Sequence, residues 1–528
     1  MDIITDETKN SDFQFVQEPE LVVNPSGAAP LAALLNFETS GPVSAEITVT
    51  DDDRSWTVPV PVEPSASHAH ILIGMRAGRT HAVSLSLLEE SGAIVKDVWQ
   101  ASFTTDPLPA DFPELKLTVN DAAAMEPGFT FFGLRKSQVS GAADYGVIAA
   151  LDADGEVVWL CDTGHTVGEI KRLRGGNLIY LTFDHRAIEI DMLGNRICQW
   201  FAANALKRGD YEVSATSIPV EAMAFHHDIL ELENGNFVVL NVETRDVDDY
   251  WTSDTDADAP RAPATLIGDV VTEFQRNGDI VGKWHMLDIL DPERICYGSL
   301  ADYWIRKGIP NSKDWSHLNS VVLDPADDCF IISSRHQDAV VKFRRGNSEI
   351  VWILGTHDSW RAPWSDHLLA PQGDLDWQYH QHNATITSRG NILLFDNANN
   401  QAVPFAEKQA AADSCSRAVE FAVDGNAMTA RQVWSYGDNE DKRYFCPFIC
   451  GAEELTATDN VLVCFGGMLS DEDGRVIDDP KIGLGWVRIA EVTRGADAHL
   501  VFELFIDERD QGRGWDVYRA RRLPALYG

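Results

Sequence analysis

Three histidines stand at matching places in three segments of this chain. They are His227 in AFHHDILELENGNFVVL, His317 in DWSHLNSVVLDPADDCFIISSR and His382 in HQHNATITSRGNILLF. Each opens an apolar, strand-like run. Eight to ten residues later comes a turn signal, Gly235-Asn236, Asp327-Asp328 or Gly390-Asn391, and then a second apolar run. Near neutral pH an imidazole can serve as nucleophile, general acid or base, or hydrogen-bond donor. Arg335 closes the SSR run, and its planar fork of donors suits a tetrahedral oxyanion such as phosphate or sulfate. Together these groups describe a locally positive pocket for an anion. Three histidines could also hold a metal. Against a metal, Arg335 would place a fixed positive charge beside the ion, and no further carboxylate stands at an equivalent position. Asp228, directly after His227, points to the other face of a strand. The expectation is therefore no metal and no cofactor. A lone histidine on a strand is ordinarily a core residue, and repeat ancestry could account for three. But the corresponding places in other repeats fall near Gly168 and Gly451, and ancestry alone would not keep histidine in three consecutive repeats only.

The elements that must position these groups can be read outward from them. Most units end in a turn and a strand closing on an aromatic residue: Trp159, Trp200, Trp284, Trp352 and Trp434, with Phe502 in a weaker sixth. A hairpin turning on Gly-Asn or Asp-Asn precedes most of these, as in LENGNFVVL and SRGNILLF. Four short strands per unit in six units predict a six-bladed β-propeller over 118–528. In a propeller the first strand of each blade lines the central channel. His227, His317 and His382 open those strands in the third, fourth and fifth blades, so with Arg335 they should face one mouth. Long insertions at 243–265 and 290–315 are expected as loops on one face that wall a pocket. LADYWIRKGI is the best candidate helix. Ahead of the propeller, 21–105 alternates in strand fashion and predicts a small immunoglobulin-like β-sandwich. Residues 1–20 read as a tail and the Pro-rich 106–117 as a linker. The fold class is all-β.

Composition excludes several functions. The chain has 82 acidic against 43 basic residues, a formal net charge of -39. That argues against nucleic acid and anionic membrane surfaces as partners. No apolar run approaches the ~18 residues of a membrane span. The start, MDIITDETKNSDFQF, is not a secretory signal. A cytoplasmic location is expected, or a periplasmic one if a leader was removed. Acidic runs such as Asp51-Asp52-Asp53 and DVDDYWTSDTDADAP are expected as solvated surface. The eight cysteines are scattered and make no disulfide scaffold. Cys446 and Cys450, the one close pair, give only a weak zinc signal.

The segments DWSHLNSVVLDP, IISSRHQDAVVKF with EIVWILG, and QHNATITSRGNILLFDN resemble the bacterial aryl-sulfate sulfotransferases that use no nucleotide sulfate donor. The resemblance covers about 118–510 and is most specific in the fourth and fifth blades. It implies a ping-pong transfer: a phenolic sulfate ester gives its sulfuryl group to a histidine, and a second phenol takes it. His382 of the QH motif corresponds to the nucleophile. His317 of W-x-H-x-N and Arg335 of SSR would hold the sulfuryl oxygens. His227 of HHD would be acid for the leaving phenol and base for the incoming one, preferred over His226 by register. Asn319, His226, His380 and Asn397 are expected to contact substrate. The chain departs from the family pattern at His380, where a small residue is usual, and at Ala398, where Gly is usual. Between Arg335 and His382 it also lacks the cysteines of the disulfide that periplasmic members carry.

The expected partners are thus a small phenolic sulfate donor and a phenolic acceptor, with no nucleic acid and no membrane. A homodimer is left open. Two other functions fit the same residues: a lyase or hydrolase of phenolic compounds, and a ligand-binding propeller without catalysis.

Overall fold

The computed structural model describes residues 13–89, 91–137, 145–206, 213–438, 443–495 and 498–528. The N-terminal unit is built around one long strand, Ala33–Thr50. Its first part pairs with Phe15–Val23 and Ser65–Leu72, and its last part with Ser55–Val58 and Thr80–Leu88. A strand that switches partners in this way turns one ribbon into two packed faces. Alternate residues such as Leu35, Phe37, Ile47, Val49, Val83 and Leu85 are buried between them, as the period of two requires.

Beyond it lie six sheets of four or five strands. Their inner strands are Trp515–Leu523, Val167–Arg172, His226–Glu231, Leu318–Asp324, His382–Ile386 and Gly451–Leu455. Each touches the next, and the last touches the first, so the ring closes. Closure uses both ends of the domain. Lys116–Asn120 joins the outer edge of blade six beside Leu500–Ile506. Trp515–Leu523 becomes the inner strand of blade one beside Phe129–Lys136. The closing aromatic residues have a structural reason. The indole N–H of Trp159 donates to the Met192 carbonyl, that of Trp200 to Arg276 and that of Trp284 to Arg345, each at 2.8 Å and each in the following blade. The repeat in the sequence is the seam between blades.

The sandwich docks on blades one and two. Ala29, Ala32 and Ile73 are buried with Ile148 and Trp159. Arg76 Nη2 lies 2.7 Å from the Asp152 carboxylate.

Several boundaries differ from expectation. The strand from Phe15 places 15–20 in the sandwich rather than in a tail, and 1–12 fall outside the described residues. Lys116 and Leu117, expected as linker, belong to blade six. Residues 300–309 form successive turns, such as Ile305 N–H to Asp302 O at 3.0 Å, and not a helix. So short a segment gains too little to offset helix nucleation, and Gly308 ends it at φ +103. Asp51 is buried, not solvated, and holds Arg54 at 2.7 Å. Asp52 and Asp53 are exposed.

Candidate active site

The inner strands of blades three, four and five begin irregularly. Register slips occur between His226 and Ile229, between Leu318 and Ser320, and between His382 and Thr385. Such bulges re-aim side chains. His227 at φ +59 and His317 at φ +49 are left-handed, and in blade five the left-handed residue is Asn383 at φ +57. Non-glycine residues adopt this conformation at a cost, so it marks positions fixed by their surroundings.

The result is a cluster of rings. The centroid of His227 lies 4.8 Å from His317 and 6.5 Å from His382. His382 is almost wholly buried, while His227 and His317 are half-buried. His226 is one step back: its Nδ1 lies 2.7 Å from Nδ1 of His227, and its Nε2 lies 3.1 Å from Asp269.

The tautomers of His382 and His317 are set by their partners. Asn397 Nδ2 donates to the carbonyls of Cys446 at 2.8 Å and Ile449 at 3.2 Å. Its Oδ1 therefore faces His382 Nδ1, 2.7 Å away, and accepts. A neutral His382 then carries its proton on Nδ1 and a lone pair on Nε2. His317 Nδ1 donates to Asp314 Oδ2 at 2.7 Å, which leaves its Nε2 for a ligand.

Arg335 lies in a 3₁₀ turn, Arg335–Gln337. Its Nη1 donates to His336 Nε2 at 2.5 Å and its Nη2 to the Pro447 carbonyl at 3.0 Å. Its Nε is buried with no hydrogen-bond partner among the described residues. Burial pulls Arg335 down to about 10, so it stays charged at neutral pH. Burial, and then the charge of Arg335, hold His382 well below the usual histidine range. Burial and the neighbours His317, His226, His382 and Arg519 do the same to His227.

The four residues expected to contact substrate make these contacts within the protein. Asn397 orients His382. Asn319 braces strands, its Nδ2 donating to the Gln381 carbonyl at 2.7 Å and its Oδ1 accepting from the Asn383 N–H at 3.3 Å. His226 stands behind His227. His380 lies against His336, centroids 6.0 Å apart, with its N–H on Asp338 at 2.7 Å.

Three residues were missed by the sequence reading. Asp314 brings a carboxylate to His317 from outside the equivalent positions of the repeat. Asp314, His317 and His336 even offer three ligand atoms within 4.8 Å of one another. His336 accepts from Arg335 and lies tilted against His317, centroids 4.5 Å apart. Arg519, on the inner strand of blade one, donates to Glu169 at 2.8 Å and to the Asn319 carbonyl at 2.6 Å. The spacing D-x-x-H was visible. But Asp314 ends a short strand on the edge of blade three, and His317 stands just before the inner strand of blade four, so the chain turns between them, with His317 left-handed.

The 290–311 insertion reaches this site. Gly298, at φ +93, packs so closely that a Cβ would lie 2.8 Å from His336. Tyr297 donates from its hydroxyl to the Ala406 carbonyl at 2.5 Å, and Trp251 meets Phe405 at 5.7 Å. Segments from 251, 297 and 405 are thereby joined beside the histidines.

Fold and site together define a propeller with histidines and a buried arginine gathered at the inner ends of its blades. A family model described as Arylsulfotransferase (ASST) matches residues 118–514, and a second, the Arylsulfotransferase Ig-like domain, matches 20–105. The chain belongs to the arylsulfotransferase family. It is 24% identical over 557 residues to arylsulfate sulfotransferase AssT of Lelliottia amnigena, covering 88% of this chain and 86% of that one. It is 29% identical over 262 residues to arylsulfate sulfotransferase AssT of Escherichia coli O6:H1, covering 42% of each chain. Among solved structures, BamB from Moraxella catarrhalis matches at TM-score 0.25 and 12% identity, covering 82% of this chain and 95% of that one. A putative 6-phosphogluconolactonase from Bacteroides fragilis matches at 0.33 and 10%, covering 75% and 98%. The fold assignment rests on this chain's own sheets.

Proposed function

We propose that the protein is an aryl-sulfate sulfotransferase that works through a sulfohistidine on His382. The Nε2 lone pair of His382 attacks sulfur of a phenolic sulfate ester. The S–O bond to the phenol breaks, and its electron pair leaves with the phenolate oxygen. His227, which enters this step protonated on both nitrogens, gives its Nε2 proton to that oxygen and is left neutral. Arg335 and His317 hold the sulfuryl oxygens, where donors fixed in advance act on shifting charge. A second phenol then attacks the N-sulfuryl group while His227 takes its proton, and the electron pair of the N–S bond returns to His382.

The observation that carries this reading is the Asn397–His382 hydrogen bond. It gives a buried, neutral imidazole with its lone pair on Nε2, beside a charged Arg335. Such a nitrogen needs no separate deprotonation to act as nucleophile. Family membership and the names of the two relatives support the substrate class.

The test is intact-protein mass after incubation with 4-nitrophenyl sulfate. The expected result is a gain of one sulfuryl group, mapped to His382 and discharged by added phenol. Turnover with no protein adduct would indicate a hydrolase or lyase. Binding with neither adduct nor turnover would indicate a non-catalytic propeller.

A further inference from the structure

We propose that Asp269 and His226 act with His227 as a relay, fixing which nitrogen of His227 faces the reacting oxygen and sharing the charge once that nitrogen is protonated. This rests on the transfer reading above and deepens it. Both are positioning residues, acting through His227.

The argument starts at Asp269, on the strand Ala262–Phe274 of blade three. Its carboxylate is buried at 3% exposure. Oδ2 accepts from the Ser316 hydroxyl and from the Leu318 N–H, at 3.0 Å for the latter. Oδ1 faces His226 Nε2 at 3.1 Å. The Asn241 carbonyl, 3.4 Å from the same nitrogen, is also only an acceptor. His226 Nε2 therefore carries a hydrogen. In a neutral His226 the lone pair is then on Nδ1, which lies 2.7 Å from His227 Nδ1. Of the two Nδ1 atoms, the one on His227 must donate. That leaves His227 Nε2 unprotonated, as a base requires. The left-handed backbone at His227 makes this contact possible. On a regular strand adjacent side chains point to opposite faces, but here the two rings meet at 4.9 Å and 87°.

In the second half-reaction the acceptor phenol forms its O–S bond while the N–S bond to His382 breaks and its pair returns to Nε2. The phenolic proton goes to His227 Nε2. His227 is then a cation, and its hydrogen bond to His226 becomes charge-assisted, with the Asp269 carboxylate at the far end. His317, His382, Tyr518 and Arg519 face His227 from the other strands. None of these supplies a negative charge. The neighbouring carboxylate, Asp228, is engaged by Lys171 and by the Val321 N–H. Asp269, through His226, is the charge that favours protonated His227.

The test uses the full chain with ¹⁵N-labelled histidine and the variants Asp269→Asn, His226→Ala and His226→Gln. In the wild type at a pH where His227 is neutral, His227, assigned by its loss in His227→Gln, should show hydrogen on Nδ1 and none on Nε2. Asp269→Asn should shift it toward the other tautomer, because an amide N–H can turn His226 around. His226→Gln should keep the wild-type tautomer, its amide oxygen accepting the same bond. In single-turnover transfer from sulfurylated enzyme to phenol, Asp269→Asn and His226→Ala should lose roughly 10²–10⁴-fold, the range for tautomer and acid–base losses. They should slow labelling of His382 by 4-nitrophenyl sulfate far less. In Asp269→Asn the acid limb of the transfer step should move to lower pH, because removing that negative charge lowers the proton affinity of His227. His226→Gln should recover much of what His226→Ala loses. Hydrogen on Nε2 of neutral wild-type His227, or an unmoved acid limb with unchanged transfer rates, would overturn the relay. If the wild type never takes up a sulfuryl group, the sulfotransferase reading fails, and the tautomer measurement alone decides the relay. Should Asp269→Asn fail to fold, the two His226 variants carry the comparison.

Discussion

Nδ1 of His382 lies 2.7 Å from the amide oxygen of Asn397, and the amide nitrogen of Asn397 is committed to two backbone carbonyls, those of Cys446 and Ile449. The loop Cys446–Cys450 thereby sets the tautomer of a histidine on another blade. Its Pro447 carbonyl also takes a hydrogen bond from Arg335. One short stretch of backbone fixes both the imidazole and the guanidinium.

Asn397→Ala should slow sulfurylation of His382 by ten-fold or more, on the order of the lower end of tautomer effects, with donor binding largely retained. Stopped-flow release of 4-nitrophenolate measures it. A rate equal to wild type would remove Asn397 from this role.

The pH dependence of that first step follows from burial. Burial and Arg335 hold the proton affinity of His382 below the ordinary value, which for histidine is ~6.5. The reactive neutral form then dominates through the neutral range. Labelling by a donor with a good leaving group should be flat from about pH 6.5 upward and fall only in more acid solution. A limb centred near or above neutrality would contradict it.

His382→Ala should abolish labelling and turnover together. Arg335→Ala should keep the nucleophile but lose ~10²–10³ in rate, by analogy with the loss of one oxyanion donor. His227→Ala should slow donors with basic leaving phenols far more than donors with acidic ones, since a general acid matters most when the phenolate is basic. Equal loss across the series would leave His227 without that role.

How far the sequence carried the architecture depends on periodicity. Trp159, Trp200 and Trp284 recur because each closes the same seam, so the repeat could be counted. The three histidines could be aligned because each opens an inner strand. Asp314 was missed and the choice between His226 and His227 left open for related reasons. Left-handed His227 breaks the alternation of its strand, and left-handed His317 lies in the turn that leads from Asp314 on the edge of blade three into blade four. Arg519 was missed because blade one takes its inner strand from the far C-terminal end, a pairing across the whole domain that no local pattern announces. His336 follows Arg335 directly, and only the 3₁₀ turn brings both to one side.

The two departures from the family pattern share a physical feature. His380 has φ +56 and Ala398 has φ +59, the region where glycine alone is unstrained. Ala398 is fully buried, and its N–H donates to the Tyr379 carbonyl and the Asp396 carboxylate, both at 3.0 Å. A left-handed alanine costs about 1–2 kcal/mol, while glycine adds roughly 0.5–1 kcal/mol of unfolded-chain entropy. Ala398→Gly should therefore stabilise the protein by up to about 1 kcal/mol, read as a small rise in Tm. His380→Gly should not, because the contact with His336 goes with the side chain, while the backbone N–H bond to Asp338 is the same for both residues.

The cluster of Asp314, His317 and His336 invites a metal, and its hydrogen bonds argue against one. His317 Nδ1 is committed to Asp314, His336 Nδ1 to the Asp314 carbonyl, and His336 Nε2 to Arg335. An ion there would displace these bonds and sit beside a guanidinium charge. Burial pushes the Asp314 carboxyl up, but His317 and His336 more than offset it and hold it below the usual carboxylate range, so Asp314 is ionised to steady His317. Exhaustive chelation followed by assay in metal-free buffer should leave both His382 labelling and transfer at full rate. Loss of either step, restored by one divalent ion, would show that the carboxylate and the two imidazoles serve as ligands, and the support assigned here to His317 and Arg335 would have to be redrawn around that ion.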